Sequence, residues 1–132
     1  MEMNDKHILI NADSLLVDIQ GAFAAIYPFL RIEFIGADKF SKTLKSTKIV
    51  PGTSIKTLIN LAAPSRIDIK KHRTVEELSH DVEHLLGVIV QVSRKSGNVW
   101  NAISVTSGWT LERQNSEGEF ISSEMTLDNS RD

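Results

Sequence analysis

The chain has 132 residues, the usual size of one hydrophobic core. Fifteen basic residues stand against seventeen acidic ones, so no global charge draws the chain to nucleic acid or an anionic membrane. Cysteine is absent, which excludes disulfides, thiolate metal sites and cysteine nucleophiles.

The start, MEMNDKHILIN, has no basic segment followed by a long apolar run and does not read as a signal peptide. No apolar stretch approaches the ~18 residues that span a bilayer. A soluble, cytoplasmic protein is therefore expected. HILIN (7–11) reads as a short strand. Leu15, Leu16, Ile19, Phe23 and Ile26 then follow helical spacing, with Asp13 or Ser14 as the cap and Pro28 as the stop. Gly21 inside this helix suggests a close approach to the sheet. In LRIEFIG the residues Leu30, Ile32 and Phe34 share one face of a half-buried strand, and Arg31 and Glu33 share the other.

From Gly36 to Ser65 the character changes. The segment from Ala37 carries five lysines and one acid, Asp38, with Pro51–Gly52 as a turn. A connection this long suggests a mobile basic loop over about 36–65. RIDIK (66–70) is a second short strand. Thr74 and Glu77 form a capping box for the helix that follows, with Val75, Leu78, Val82 and Leu85 buried and Gly87 as a left-handed C-terminal cap. VIVQVSR and NVWNAISVT make two strands around a turn. Thr110 then caps one or two helical turns, and a frayed tail follows from about 122.

Residues 8–34 and 67–92 each read strand–helix–strand. The expected fold is a single α+β domain over 1–132. It is a two-layer sandwich of ferredoxin-like strand–helix–strand units, with an added C-terminal hairpin strand and short helix. In the hairpin, a three-residue loop Lys95–Ser96–Gly97 would give glycine the left-handed position. That register pairs Val92 with Trp100 and makes Trp100 a core residue. A two-residue Ser96–Gly97 loop would put the indole on the polar face, because a one-residue slip reverses every side chain. Trp109 is expected to staple the last helix to the sheet.

Several residues carry candidate chemistry. His80, Glu83 and His84 match H-x-x-E-H, in which two histidines four apart hold zinc and the glutamate acts as base. Helical geometry points both histidines away from Leu78 and Val82, without an obvious cleft, so two solvated side chains are expected and no cofactor or metal. For single-stranded nucleic acid, the candidates are Lys39, Lys42, Lys45, Lys48, Arg94 and Lys95, with a tryptophan as stacking platform. Low aromatic content and near-neutral charge count against it. No nucleophile elbow or phosphate-cradling glycine loop occurs, so an enzyme of unidentified class ranks third.

The stretch Leu86–Glu119, with RKSGNVWN and GWTLERQNSEGE as its most specific parts, resembles a C-terminal segment of an uncharacterised Bacteroidetes-type bacterial protein family. YPFLRIEF resembles that family's first half. The resemblance covers about half of the chain and implies a cytoplasmic bacterial protein, with no catalytic residue attached. The leading expectation is a small non-catalytic interaction or regulatory module. It would bind an unknown protein partner or self-associate through a sheet edge.

Overall fold

A computed structural model of the protein describes residues 6–37 and 46–129. Its elements are β1 (His7–Ile10), α1 (Leu16–Ile26), β2 (Leu30–Ala37), β3 (Ser46–Lys48), α2 (Ile55–Leu58), β4 (Ser65–Asp68), α3 (Val75–Leu86), β5 (Ile89–Ser96), β6 (Val99–Ala102) and α4 (Leu111–Asn129). The fold is α+β. Among the described residues there are two antiparallel sheets, a pair β1–β4 and a four-stranded sheet in the order β3–β2–β5–β6. A ferredoxin-like arrangement would place both strand–helix–strand units in one sheet. Here the first strand of each unit leaves the larger sheet and pairs with its counterpart.

The order β–α–β–β–α occurs twice, as β1 to α2 and as β4 to α4. The two halves are related by a pseudo-two-fold axis. Ile8 faces Ile67 across the small sheet, and Glu33 faces Gln91 across the large one. These partners lie 59 and 58 positions apart in the chain, so each pairs with its own equivalent.

The helix starts repeat the same way. Leu15, before α1, bridges Ser54, before α2; Thr74, before α3, bridges Thr110, before α4. Around the first bridge, Leu16 and Val17 donate their N–H groups to the carbonyls of Thr53 (2.9 Å) and Pro51 (2.8 Å). Ile55 and Lys56 donate to those of Ser14 (2.8 Å) and Ala12 (3.0 Å). Around the second, Val75 and Glu76 donate to Trp109 (3.3 Å) and Ser107 (2.9 Å), and Leu111 and Glu112 to Arg73 (2.7 Å) and Lys71 (3.1 Å). A helix start leaves its first N–H groups without partners inside the helix. Here each start satisfies those of its mate, so the helices are capped in pairs by backbone.

This corrects the expected cap of α1. Ser14 Oγ accepts from the Asn11 N–H (3.0 Å), and Asp13 pairs with Lys56 Nζ (3.1 Å). Asp18 reaches back to the Leu15 N–H (3.0 Å). The Thr74–Glu77 capping box forms as expected, with both bonds at 3.0 Å.

The core gathers Ile8, Ile10, Ile67 and Ile69 from the small sheet, and Leu30, Ile32, Phe34, Val90 and Val92 from the inner face of the large one. Leu16, Ile19 and Phe23 of α1, Val75, Leu78, Val82 and Leu86 of α3, and Tyr27, Ile55 and Leu111 join them. Full burial of a side chain such as Phe23 contributes roughly 1.5–3 kcal/mol. Leu86 takes the fully buried place expected of Leu85, which is partly buried.

Other expectations change. From Ser46 the long connection carries β3 and the one-turn helix α2, the counterparts of β6 and α4. Lys39, Lys42 and Lys45 lie outside the described residues. Gly21 makes no close approach: a Cβ there would meet nothing within 4 Å. The helical glycine in close approach is instead Gly118, where a Cβ would sit 2.9 Å from Phe29 Cβ and 3.2 Å from Phe29 O. The last helix runs for 19 residues and includes Ser122, which is buried, where one or two turns and a frayed tail were expected.

Candidate functional site

The outer face of the large sheet carries the hairpin tryptophan. Ser96 pairs with Val99 and Lys95 with Trp100, so the loop is the two residues Gly97 and Asn98. Gly97 has φ +68°, and no residue other than glycine has positive φ among those described. Glycine first in a two-residue loop is the type II′ arrangement, whose twist suits a hairpin. The three-residue register is therefore corrected, and with it the core placement of Trp100. The indole lies opposite Lys95 on the outer face, half-buried, with the Arg31 guanidinium 4.7 Å from its ring centre. On the same face Glu33 holds Lys48 Nζ at 3.1 Å and Arg31 Nη2 at 3.8 Å.

Arg94 points to the inner face and anchors α4. Its Nη1 donates to Gln114 Oε1 (2.8 Å), and Gln114 Nε2 donates to the Thr106 carbonyl (2.6 Å). Trp109 lies beside it, with Arg113 at 3.7 Å and Arg94 at 5.7 Å from the ring centre. The structure therefore scatters the described nucleic-acid candidates. Lys48 is in the β3 strand opposite Ile35, and Arg94 is opposite Leu30. Those positions are five residues apart along β2, or about 17 Å. Lys95 stays with Trp100, while Arg94 is committed to Gln114.

A third surface brings together residues that sequence reasoning left apart. An open groove of about 360 Å³ runs between β4 and α3. All of β4, Ser65 to Asp68, forms one wall, and His80, Asp81, His84 and Leu85 form the other. The two imidazoles stack nearly parallel, 6.4 Å apart. The absence of a cleft beside His80 and His84 is thus corrected. Their distance from the core was legible from helix periodicity, but the strand opposite them was not. Glu83 turns the other way and accepts the Val90 N–H (3.0 Å), so it is not positioned as a base for that pair. Among the described residues no three metal-ligating side chains cluster.

Among the described residues, β4 pairs with β1 alone, so its other side is a free strand edge. Ile69 N–H donates to Lys6 O (3.0 Å), and Ile67 pairs with Ile8 in the same register. Backbone groups alternate sides along a strand, so those of Arg66 and Asp68 point away from β1. Edges of the large sheet are managed differently. Beyond the ends of β3 and β6, helix side chains cover equivalent positions. Gln20 Nε2 donates to Ile32 O (2.9 Å), and Glu83 takes the Val90 N–H.

Among the described residues, three groups have shifted titration. Burial pushes the Tyr27 phenol up to about 12, with Glu112 and Asp68 adding to the effect. Its hydroxyl donates to the Ile69 carbonyl at 2.6 Å. Burial works to raise the Asp68 carboxyl, but the Lys70 N–H and the charges of Lys70, Arg73 and His7 outweigh it and hold it low. The Thr74 N–H holds the exposed Glu77 carboxyl below its ordinary value.

No family model, no curated protein and no solved structure matches the chain. No described helix is long and apolar enough to cross a membrane.

Proposed function

We propose that the protein is a small non-catalytic interaction module that takes up an extended segment of a partner protein as an added strand on β4. The observation that carries this reading is the groove whose one wall is the free edge of β4 and whose other wall is α3. An added strand gains main-chain hydrogen bonds from the edge, and the flanking helix supplies side-chain selectivity. The cysteine-free composition and the resemblance in residues 86–119 support a bacterial cytoplasmic setting for it.

The test is selection of random heptapeptides by display on the full chain, followed by mapping of the selected peptides through backbone amide shifts. Edge addition expects shifts at Arg66, Asp68, His80 and His84. Shifts confined to other surfaces, or no selected peptide, would overturn it.

The Arg31–Trp100 stack beside Lys95 favours a second reading, single-stranded nucleic acid on the outer sheet face. Titration with a mixed-sequence oligonucleotide at low and moderate salt separates the two. Quenching of tryptophan emission that reverses with salt supports nucleic acid; emission that ignores the oligonucleotide counts against it.

A further inference from the structure

We infer that the extended segment taken up beside β4 is acidic, an inference that rests on the edge-addition reading above. The argument is the balance of charge in the groove. Its two carboxylates already face cations. Asp68 accepts the Lys70 N–H (3.0 Å) and has Lys70 Nζ at 3.8 Å. Asp81 accepts from Arg73 Nη2, while His80 Nδ1 lies 4.0 Å from its other oxygen. The cation left over on the strand wall is Arg66, which is exposed and has no ion-pair partner among the described residues.

The uncommitted charged side chain of the groove's strand wall is a donor. Arg66 presents a guanidinium, which has five N–H donors and no acceptor. The outward N–H and C=O groups of Arg66 and Asp68 face an incoming strand and pair with its backbone, so the charge preference falls to the side chains. The stacked imidazoles of His80 and His84 form the far wall. A carboxylate is an acceptor-only group and matches such a surface. A lysine or arginine would add a cation beside Arg66 and find both aspartates already engaged. Leu85, also on the helix wall, adds apolar surface to the groove.

The test uses the full chain as wild type, Arg66→Glu and Arg66→Gln, each subjected to the same heptapeptide selection and amide mapping. Arg66 is exposed, so both variants are expected to fold. Peptides selected on the wild type should be rich in Asp and Glu. They should bind the Arg66→Glu variant about tenfold more weakly, with Arg66→Gln in between, and selection on Arg66→Glu should turn toward Lys and Arg. Peptides that move the β4 and α3 amides without acidic bias would overturn the acidic partner and leave edge addition standing. Peptides that bind elsewhere, or the recovery of none, would overturn both. A concentration-dependent dimer that shifts these same amides would make a second copy the occupant, and would also overturn the acidic segment.

Discussion

Glu33 lies directly opposite Gln91 at the centre of the four-stranded sheet, and the two are equivalent residues of the two halves. The same axis passes Ile8 and Ile67 in the small sheet. Its consequence for function is a separation. The β2–β3 and β5–β6 hairpins leave the sheet at opposite ends, so Lys48 of the first and the Trp100 loop of the second stand apart on the outer face and are linked only through Glu33 and Arg31 among the described residues. The groove beside β4 lies apart from both and combines an open strand edge with a helix wall.

Glycine positions provide a test with opposite signs. Gly21→Ala puts a methyl into open space on a helix and should stabilise the protein by roughly 0.5–1 kcal/mol. Gly118→Ala meets Phe29 backbone and side chain and Arg94 Cγ at 3.1 Å, and should destabilise by about 1–3 kcal/mol. Urea midpoints at constant m-value give both numbers. Equal effects at the two sites would contradict the placement of α4.

Tyr27 is the single tyrosine of the chain, so its ionisation can be followed directly by ultraviolet absorbance. It should titrate near pH 12 in the folded protein. A raised phenol value means that its stabilisation is fully present below the ordinary value of 10.0 and is lost as pH climbs through about 12. Tyr27→Phe removes the donor to the buried Ile69 carbonyl and should cost about 1–3 kcal/mol at neutral pH, read by urea denaturation.

Asp68 and Glu77 act at the other end of the pH scale. Both carboxyls are held below their ordinary values of 3.8 and 4.5, so the unfolded chain binds protons more readily. Their contribution is present above those values and disappears as pH falls through the lower folded ones. Melting temperature measured from pH 6 to pH 2 should fall through this range. Asp68→Asn and Glu77→Gln together should flatten the slope.

Glu83 covers the edge of β5. Glu83→Ala leaves the Val90 N–H without its partner and should cost about 1–3 kcal/mol, while Glu83→Gln, which keeps an acceptor oxygen, should recover most of it. Thermal melts compare the three proteins. A Glu83→Gln variant as unstable as Glu83→Ala would show that packing, rather than the edge bond, is what matters there.

Local pattern settled much of this protein without any knowledge of its fold. The apolar stripes of α1 and α3, the Thr74–Glu77 box, the left-handed Gly87 and the inward row Leu30, Ile32 and Phe34 all follow from residues within a few positions of one another. The length of α4 was hidden because its inward row is Leu111, Gln114, Gly118 and Ser122, which has helical spacing but mostly polar or small side chains. The hairpin frame was hidden for a related reason. Gly97 satisfies a left-handed position in either frame, and the frame that forms places it beside α4. There its N–H reaches Ser122 Oγ (3.1 Å), and Met125 lies 3.0 Å from where a Cβ would stand.

The groove was out of reach of any local reading. That β4 pairs with β1 alone among the described residues, and that α3 lines the groove beside it, are contacts between segments far apart in the chain. Sequence by itself determined which residues turn inward, because periodicity and turn chemistry act over a few residues. Tertiary structure alone decided which strands meet and, among the described residues, which edge stays open and that Arg66 of the groove has no acid beside it, because those depend on pairings that no short stretch encodes.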